Sequence, residues 1–202
     1  VKWNINKRYL LELERKNIPI IPTRLYDSFD FEIVSQLFSF FNEDKLVIKP
    51  CVSANADDTF ILEQSKIGNL KSALENTFFQ KDFLVQPFIK SIISEGEYSL
   101  IYFGNRLSHV LLKTPKDGDF RVQEEHGGIL KAINKPESSL IDFGNKVMGT
   151  IPHQCLYSRV DVVRGSDNYL LMEVELIEPS LYFNMDPKSP QMFAEVFNKW
   201  HG

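Results

Sequence analysis

The chain has 202 residues with a formal net charge of −4, and 43% of them are apolar and 25% charged. That is the balance of an ordinary globular protein, long enough to bury a core in one domain or two small lobes. An acidic chain with no basic stripe excludes a general nucleic-acid binder, and no apolar run reaches the ~18 residues of a membrane helix.

Other bulk features narrow the setting. Cys51 and Cys155 are too few for a disulfide scaffold and read as idle thiols of a reducing, cytoplasmic compartment. No signal peptide is visible. Sixteen phenylalanines predict a well-filled interior. The chain begins without methionine, on what reads as the lead-in to a helix, which predicts a missing N-terminal portion.

In chain order, residues 6–16 read as a helix with Tyr9, Leu10 and Leu13 on one side. Residues 18–23 are extended, because their prolines exclude helix. Asp30 suits the N-cap of a helix carrying Phe31, Val34, Leu37, Phe38 and Phe41 as an apolar stripe. Residues 46–50 predict a short strand with Lys49 near its end, residues 51–58 a polar loop, and residues 59–62 another strand. Ser65 opens a helix with Ile67, Leu70, Leu74 and Phe78 inward, and residues 83–88 form a strand.

Three further strands are expected at residues 97–103, 107–114 and 120–123, separated by the turn sequences Gly104-Asn105 and Lys116-Asp117-Gly118. Glu95, just before them, reads as solvated. Residues 136–151 predict a helix with Leu140, Val147, Met148 and Ile151 on its apolar side, and Ser189-Pro190 starts a last helix. Helices and strands alternate in the first half, while the second half is mostly antiparallel strands. The pattern is α+β in two lobes, with a boundary near Pro87.

Residues 169–183, YLLMEVELIEPSLYF, are the most informative stretch. Glu173 and Glu175 lie two apart in an apolar strand and so share a face, while Leu170, Met172, Val174 and Leu176 fill the other. Two acids side by side on a half-buried strand call for a cation. Upstream, in LYSRVDVV, Arg159 and Asp161 also share a face, and the turn-rich run at residues 164–168 suggests a hairpin. A register that sets Asp161 opposite Glu173 gathers three carboxylates and one guanidinium. Such a patch suits magnesium and phosphate, since magnesium takes oxygen ligands and bridges to phosphates. A surface salt-bridge ladder is the structural alternative.

Six segments, in order, resemble the ATP-grasp superfamily, with the closest likeness to its glutathione synthetase-like branch, which includes ligases of the cycloserine-synthesis type. They are WNINKRYLLELERKNIPIIPT, LVIKPCVSANADDTFIL, FLVQPFIKSIISEGEYSL, LLKTPKDGDFRVQEEHGG, LYSRVDVV and LLMEVELIEPSLYF. Family members usually carry an additional N-terminal α/β domain. The resemblance implies an ATP-grasp fold, α+β with mostly antiparallel sheets, in which two lobes clamp the nucleotide. Residues 1–86 would be the small lobe with its lead-in helix, and residues 87–202 the large lobe with the metal-binding strands.

The same resemblance implies residue roles. Lys49, with Lys7 as a second lysine, meets the nucleotide phosphates; either also reads as a surface lysine. Ser53 sits in the phosphate-loop position, where this chain has no glycine between residues 53 and 56, leaving Ser53 and Asn55 as the polar groups. Gln86, Pro87, Phe88 and Ile89 match the hinge, whose backbone bonds the adenine edge. Glu97 matches an acid that accepts from the ribose hydroxyls. Lys113, on a face with His109 and Leu111, meets the phosphates. Arg121 and Gln123 meet the phosphates and the acyl-phosphate substrate, where Arg captures anions in a bidentate manner. His126, beside Gly127-Gly128, reads as a polar loop residue rather than a base. Asp161, Glu173 and Glu175 bind magnesium, in a site for one or two ions, and Arg159 offsets charge on the transferring phosphoryl group. Glu175 stands where the family often has Asn.

The function so implied is an ATP-dependent carboxylate–amine (or related nucleophile) ligase working through an acyl phosphate. Its partners would be small-molecule carboxylate and amine substrates, without nucleic acid or membrane; the oligomeric state stays open, a homodimer included. A non-catalytic ATP-binding module and a metal-dependent phosphohydrolase are the alternatives.

Overall fold

The computed structural model describes residues 2–54, 56–116, 118–119, 121–122 and 127–201. The chain divides into two compact units, one of Asn6–Leu11 and Ile21–Ile89, the other of Val1–Ile5, Glu12–Ile20 and Lys90–Gly202. Among the described residues, no helix is long and apolar enough to cross a membrane.

The helix expected at residues 6–16 is α2 (Tyr9–Arg15), and a short helix α1 (Lys2–Ile5) precedes it. The Asn6 side chain accepts the Arg8 N–H at 3.0 Å, a local bond that competes with continuous helix.

In the first unit, β1 (Arg24–Tyr26), β2 (Lys45–Pro50), β3 (Phe60–Glu63) and β4 (Phe83–Pro87) form an antiparallel sheet in the order β1-β4-β2-β3. Three-residue β1 is too short to show a periodicity. α3 (Phe31–Phe41) starts where expected, because the Asp30 carboxylate accepts the N–H groups of Glu32 and Ile33 at 2.8 and 3.0 Å. The helix expected from Ser65 is a 3-10 turn (Ile67–Leu70) leading into α4 (Lys71–Phe78). Both helices bury their apolar faces on one side of the sheet: Val34, Leu37, Phe38, Leu74 and Phe78 join Leu46, Ile48, Phe83 and Val85 in one core. Strand alternation therefore turns Val47 and Lys49 of β2, and Leu84 and Gln86 of β4, to the opposite side.

In the second unit, β5 (Glu97–Phe103), β6 (Arg106–Thr114), β7 (Ile129–Ala132), β8 (Tyr157–Arg164) and β9 (Tyr169–Glu175) form an antiparallel sheet ordered β7-β6-β5-β8-β9. The short helix α5 (Ser91–Ser94) precedes it. The strand expected at residues 120–123 is not found: Arg121 and Val122 carry no strand, and Phe120 and Gln123 lie outside the described residues. The Asp119 carboxylate captures the Arg121 N–H at 3.0 Å and its guanidinium at 2.9 Å, a local turn that replaces extended pairing. β6 pairs instead with β7, whose alternating exposure is too brief to announce itself.

One face of this sheet packs under α6 (Ser138–Met148). Gly144 permits the approach, because a Cβ there would lie 2.4 Å from the Tyr102 hydroxyl and 2.5 Å from a Leu100 methyl. The other face is split. At one end Ile101, Phe103 and Leu111 are covered by Met192, Phe193 and Val196 of α7 (Ser189–His201). At the other end the same strands present Glu97, Ser99, Lys113, Arg159, Asp161, Glu173 and Glu175 by alternation.

Two expectations need correction here. A bulge shifts the β8–β9 register after Asp161, so that Leu171, not Leu170 or Met172, is fully buried beside Val174. Glu95 is not simply solvated: both its oxygens accept from Arg164 Nε at 2.9 Å, and the Tyr98 hydroxyl donates to it at 2.7 Å. Arg164 lies 69 residues away and leaves no local signal. β9 stops at Glu175, where the Asn4 side chain takes over its backbone pairing, donating to Val174 O at 2.7 Å and accepting from Leu176 N at 2.9 Å.

Candidate functional site

The sequence places the strongest candidates on β8 and β9, and the register brings them together. Asp161 stands opposite Glu173, and Arg159 opposite Glu175. The Arg159 guanidinium donates through Nε to both Asp161 oxygens at 3.1 and 3.0 Å, through Nη1 to Ser180 O at 3.3 Å, and through Nη2 to Glu175. Its Cζ lies 5.9 Å from the Tyr182 ring centroid. On the next strand, Ser99 is paired with Asp161 and its hydroxyl donates to the Asp161 carboxylate. Lys113 of β6 forms an ion pair with Glu97 of β5 and approaches Asp161 at 3.4 Å.

Gly96 makes the Glu97–Lys113 pairing feasible. It has φ +117°, and a Cβ would sit 2.5 Å from the Lys113 carbonyl oxygen. Only glycine lets β5 enter alongside β6 at this point.

The row Lys113–Glu97–Ser99–Asp161–Arg159 is buried, with Lys113 and Asp161 3% exposed and Arg159 7%. Burial alone would depress Lys113 and raise Asp161. The reciprocal charges outweigh it, so Lys113 is held above its ordinary range by Asp161 and Glu97, and Asp161 below its own by Arg159 and Lys113. Glu97, with Lys113 as its near cation, is raised by burial. The Glu175 carboxyl is pushed up to about 7, first by burial and then by the Asp161 charge, with Glu173 adding repulsion against the pull of Arg159.

The donor chemistry tests the fit of a metal. Asp161, Glu173 and Glu175 stand on one face of the β8–β9 pair, and carboxylate oxygens so placed suit a hard divalent cation, which would relieve their mutual repulsion. In the arrangement seen, Arg159 and Lys113 take the Asp161 carboxylate, and among the described residues no three His, Cys, Asp or Glu side chains stand together as a metal-holding group.

Arg121 is placed otherwise than its strand reading implied. It lies on the loop after β6, with its guanidinium tied to Asp119. Gln123 and His126 lie outside the described residues, as does Asn55.

In the other unit, the structure joins Lys7 and Ser53. Lys7 is 5% exposed, and its Nζ donates to Ser53 O at 3.0 Å and to Ser53 Oγ at 3.3 Å. Lys49 is half-buried and shares a sheet face with Gln86. The Gln86 side chain donates to Thr23 Oγ1 at 2.8 Å. Among the hinge residues, Phe88 N–H is spent on Lys45 O at 3.0 Å, and Pro87 pairs with Leu46. β1 pairs with β4 only as far as Val85, so Gln86 and Pro87 are paired with β2 alone. Ile89 follows in irregular backbone.

Sequence reasoning missed Ser99, Ser180 and Tyr182. Ser99 was readable, because it lies two residues after Glu97 in a strand and shares its face. Ser180 and Tyr182 reach Arg159 from an irregular segment with no periodic signal.

No family model matches the chain. It is 26% identical over 213 residues to the cycloserine biosynthesis protein DcsG of Streptomyces lavendulae, covering 97% of this chain and 69% of that protein. A crystal structure of the D-cycloserine synthetase DcsG superposes with a TM-score of 0.84 at 22% identity, over 98% of this chain and 70% of the other. The ATP-grasp ligase PsnB, in complex with a phosphomimetic variant of its minimal precursor, Mg and ADP, superposes with a TM-score of 0.68 at 17% identity, over 98% of this chain and 59% of PsnB. At these TM-scores the chain, with its two antiparallel sheets and flanking helices, shares the overall fold of these structures, the ATP-grasp fold.

Proposed function

We propose that this chain binds ATP and magnesium and catalyses ATP-dependent ligation of a small-molecule carboxylate to an amine or related nucleophile. The observation that carries the reading is the buried row Lys113–Glu97–Ser99–Asp161–Arg159, with Glu173 and Glu175 in register beside it. The named relatives, a cycloserine biosynthesis protein and an ATP-grasp ligase with bound Mg and ADP, support it.

The chemistry follows from positioning and charge. A carboxylate oxygen attacks the γ-phosphorus of ATP, the bond to the β–γ bridging oxygen breaks, and ADP leaves with that electron pair. The acyl phosphate then accepts the amine at its carbonyl carbon, phosphate departs, and the amine loses a proton. Arg159 and Lys113 supply fixed positive charge toward the transferring phosphoryl group. Lys49 and the Lys7–Ser53 pair would meet the phosphates, the backbone of Gln86, Pro87, Phe88 and Ile89 the adenine, and Glu97 the ribose. Asp161, Glu173 and Glu175 would hold magnesium, which supplies charge neutralisation and orientation of the phosphates when bound. Arg121 can join only by leaving Asp119.

The test is turnover. ADP should form when a carboxylate and an amine acceptor are both present, with label from an ¹⁸O-carboxylate recovered in the released phosphate. ADP formation indifferent to any acceptor would favour a phosphohydrolase. A second reading, nucleotide binding without turnover, is favoured by the loop at residues 53–56, which has no glycine and whose Ser53 is engaged by Lys7. Tight ATP binding without ADP production across a broad substrate screen would support that reading.

A further inference from the structure

Within the buried row, one member carries no charge and has no assigned role. Ser99 is fully buried, and its hydroxyl donates to the Asp161 carboxylate. It sits directly across from Asp161 in the β5–β8 register, with Leu111 on its other side. A buried hydroxyl costs free energy unless it is bonded, and here its bond goes to the proposed metal ligand. On Asp161, Oδ1 receives Ser99, Lys113 and Arg159 Nε, whereas Oδ2 receives Arg159 alone. The two oxygens therefore have different surroundings, with Ser99 bonded to Oδ1 alone.

We infer that Ser99 is a positioning residue for magnesium: it locks the Asp161 carboxylate so that Oδ2, relieved of Arg159, is presented to the ion. The inference rests on the ATP–magnesium reading of the site and adds a residue to it. A metal-ligating carboxylate is normally oriented by a hydrogen bond from behind, and loss of such a bond typically costs about 10–100-fold in metal affinity. Ser99 does this without adding a charge, unlike Lys113, so its removal leaves the net charge of the site unchanged.

The experiment is calorimetric titration of magnesium into the protein held with ADP, on wild type, Ser99→Ala, Ser99→Cys and Ser99→Thr, with melting temperatures recorded in EDTA. Cys is nearly the shape of Ser but a weak donor, so it keeps the test open if Ser99→Ala does not fold. The expected result is magnesium binding about tenfold or more weaker in Ser99→Ala and Ser99→Cys, and restored in Ser99→Thr. Melting in EDTA should not track the affinities. Unchanged magnesium affinity in both Ser99→Ala and Ser99→Cys overturns the inference while leaving the ATP–magnesium reading intact. Absence of magnesium-dependent ADP binding in wild type overturns that reading instead, and the inference with it.

Discussion

Lys113→Met is the sharpest probe of the buried row. The lysine is 3% exposed and lies between Glu97 and Asp161, the second at 3.4 Å. Methionine fills much of the lysine stem's volume, so the substitution removes charge rather than packing. Asp161 keeps Arg159 and Ser99, but Glu97 is left buried without its ion-pair partner. Removing one member of a buried pair typically costs about 3–5 kcal/mol, because an uncompensated charge stays behind. For a chain of this size that amounts to a fall in melting temperature of roughly 6–20 °C. Glu97→Gln on the same background removes the stranded charge and should recover part of the loss. A double-mutant cycle should therefore give a coupling of roughly 1–3 kcal/mol. The assay is urea unfolding followed by circular dichroism, with melting in parallel. A loss of only about 0–1 kcal/mol, the range of exposed ion pairs, would refute the reasoning and place Lys113 in effective contact with water.

Other predictions concern single positions. Glu173→Gln removes one charge from the crowded β8–β9 patch, so magnesium-dependent activity should be abolished while the melting temperature in EDTA holds or rises; full activity would sink its metal role. Gly96→Ala places a Cβ 2.5 Å from the Lys113 carbonyl oxygen at φ +117°, and should cost at least ~1–3 kcal/mol of stability, read by chemical denaturation. His109 is held below its ordinary pKa by burial, with Asp186 opposing, and so stays neutral in the fold where the unfolded chain already takes up a proton. Its contribution is therefore present above the unfolded value, ~6.5, and is lost as pH falls below it toward the folded value. His109→Leu should flatten the decline in stability between pH 7 and pH 5, and an unchanged slope would contradict the shift.

Much of this fold is written in local patterns. Asp30 followed by an apolar stripe announces α3, and alternation around Glu97 and Lys113 announces β5 and β6 on the correct face. The turn-rich run at residues 164–168 announced the β8–β9 hairpin, and of the registers open to it the one that forms sets Asp161 opposite Glu173. What escaped the sequence depends on contacts that no window contains. Asp119 folds back on Arg121 and removes a strand that the alternation of Arg121 and Gln123 suggested. The bulge after Asp161 changes which residue of β9 is buried, and composition does not reveal it. Glu95 looked solvated because its partner Arg164 is 69 residues away. Ser99 carries only a weak signal, because it is a neutral donor on the same face as the charged Glu97 and Asp161.

The central claim is that this site takes a nucleotide together with magnesium. Calorimetric titration of a non-hydrolysable ATP analogue into the protein, with and without magnesium, tests it most directly. The account predicts saturable binding of one analogue per chain that strengthens sharply with magnesium and fades in EDTA. No binding, or binding indifferent to magnesium, would contradict it.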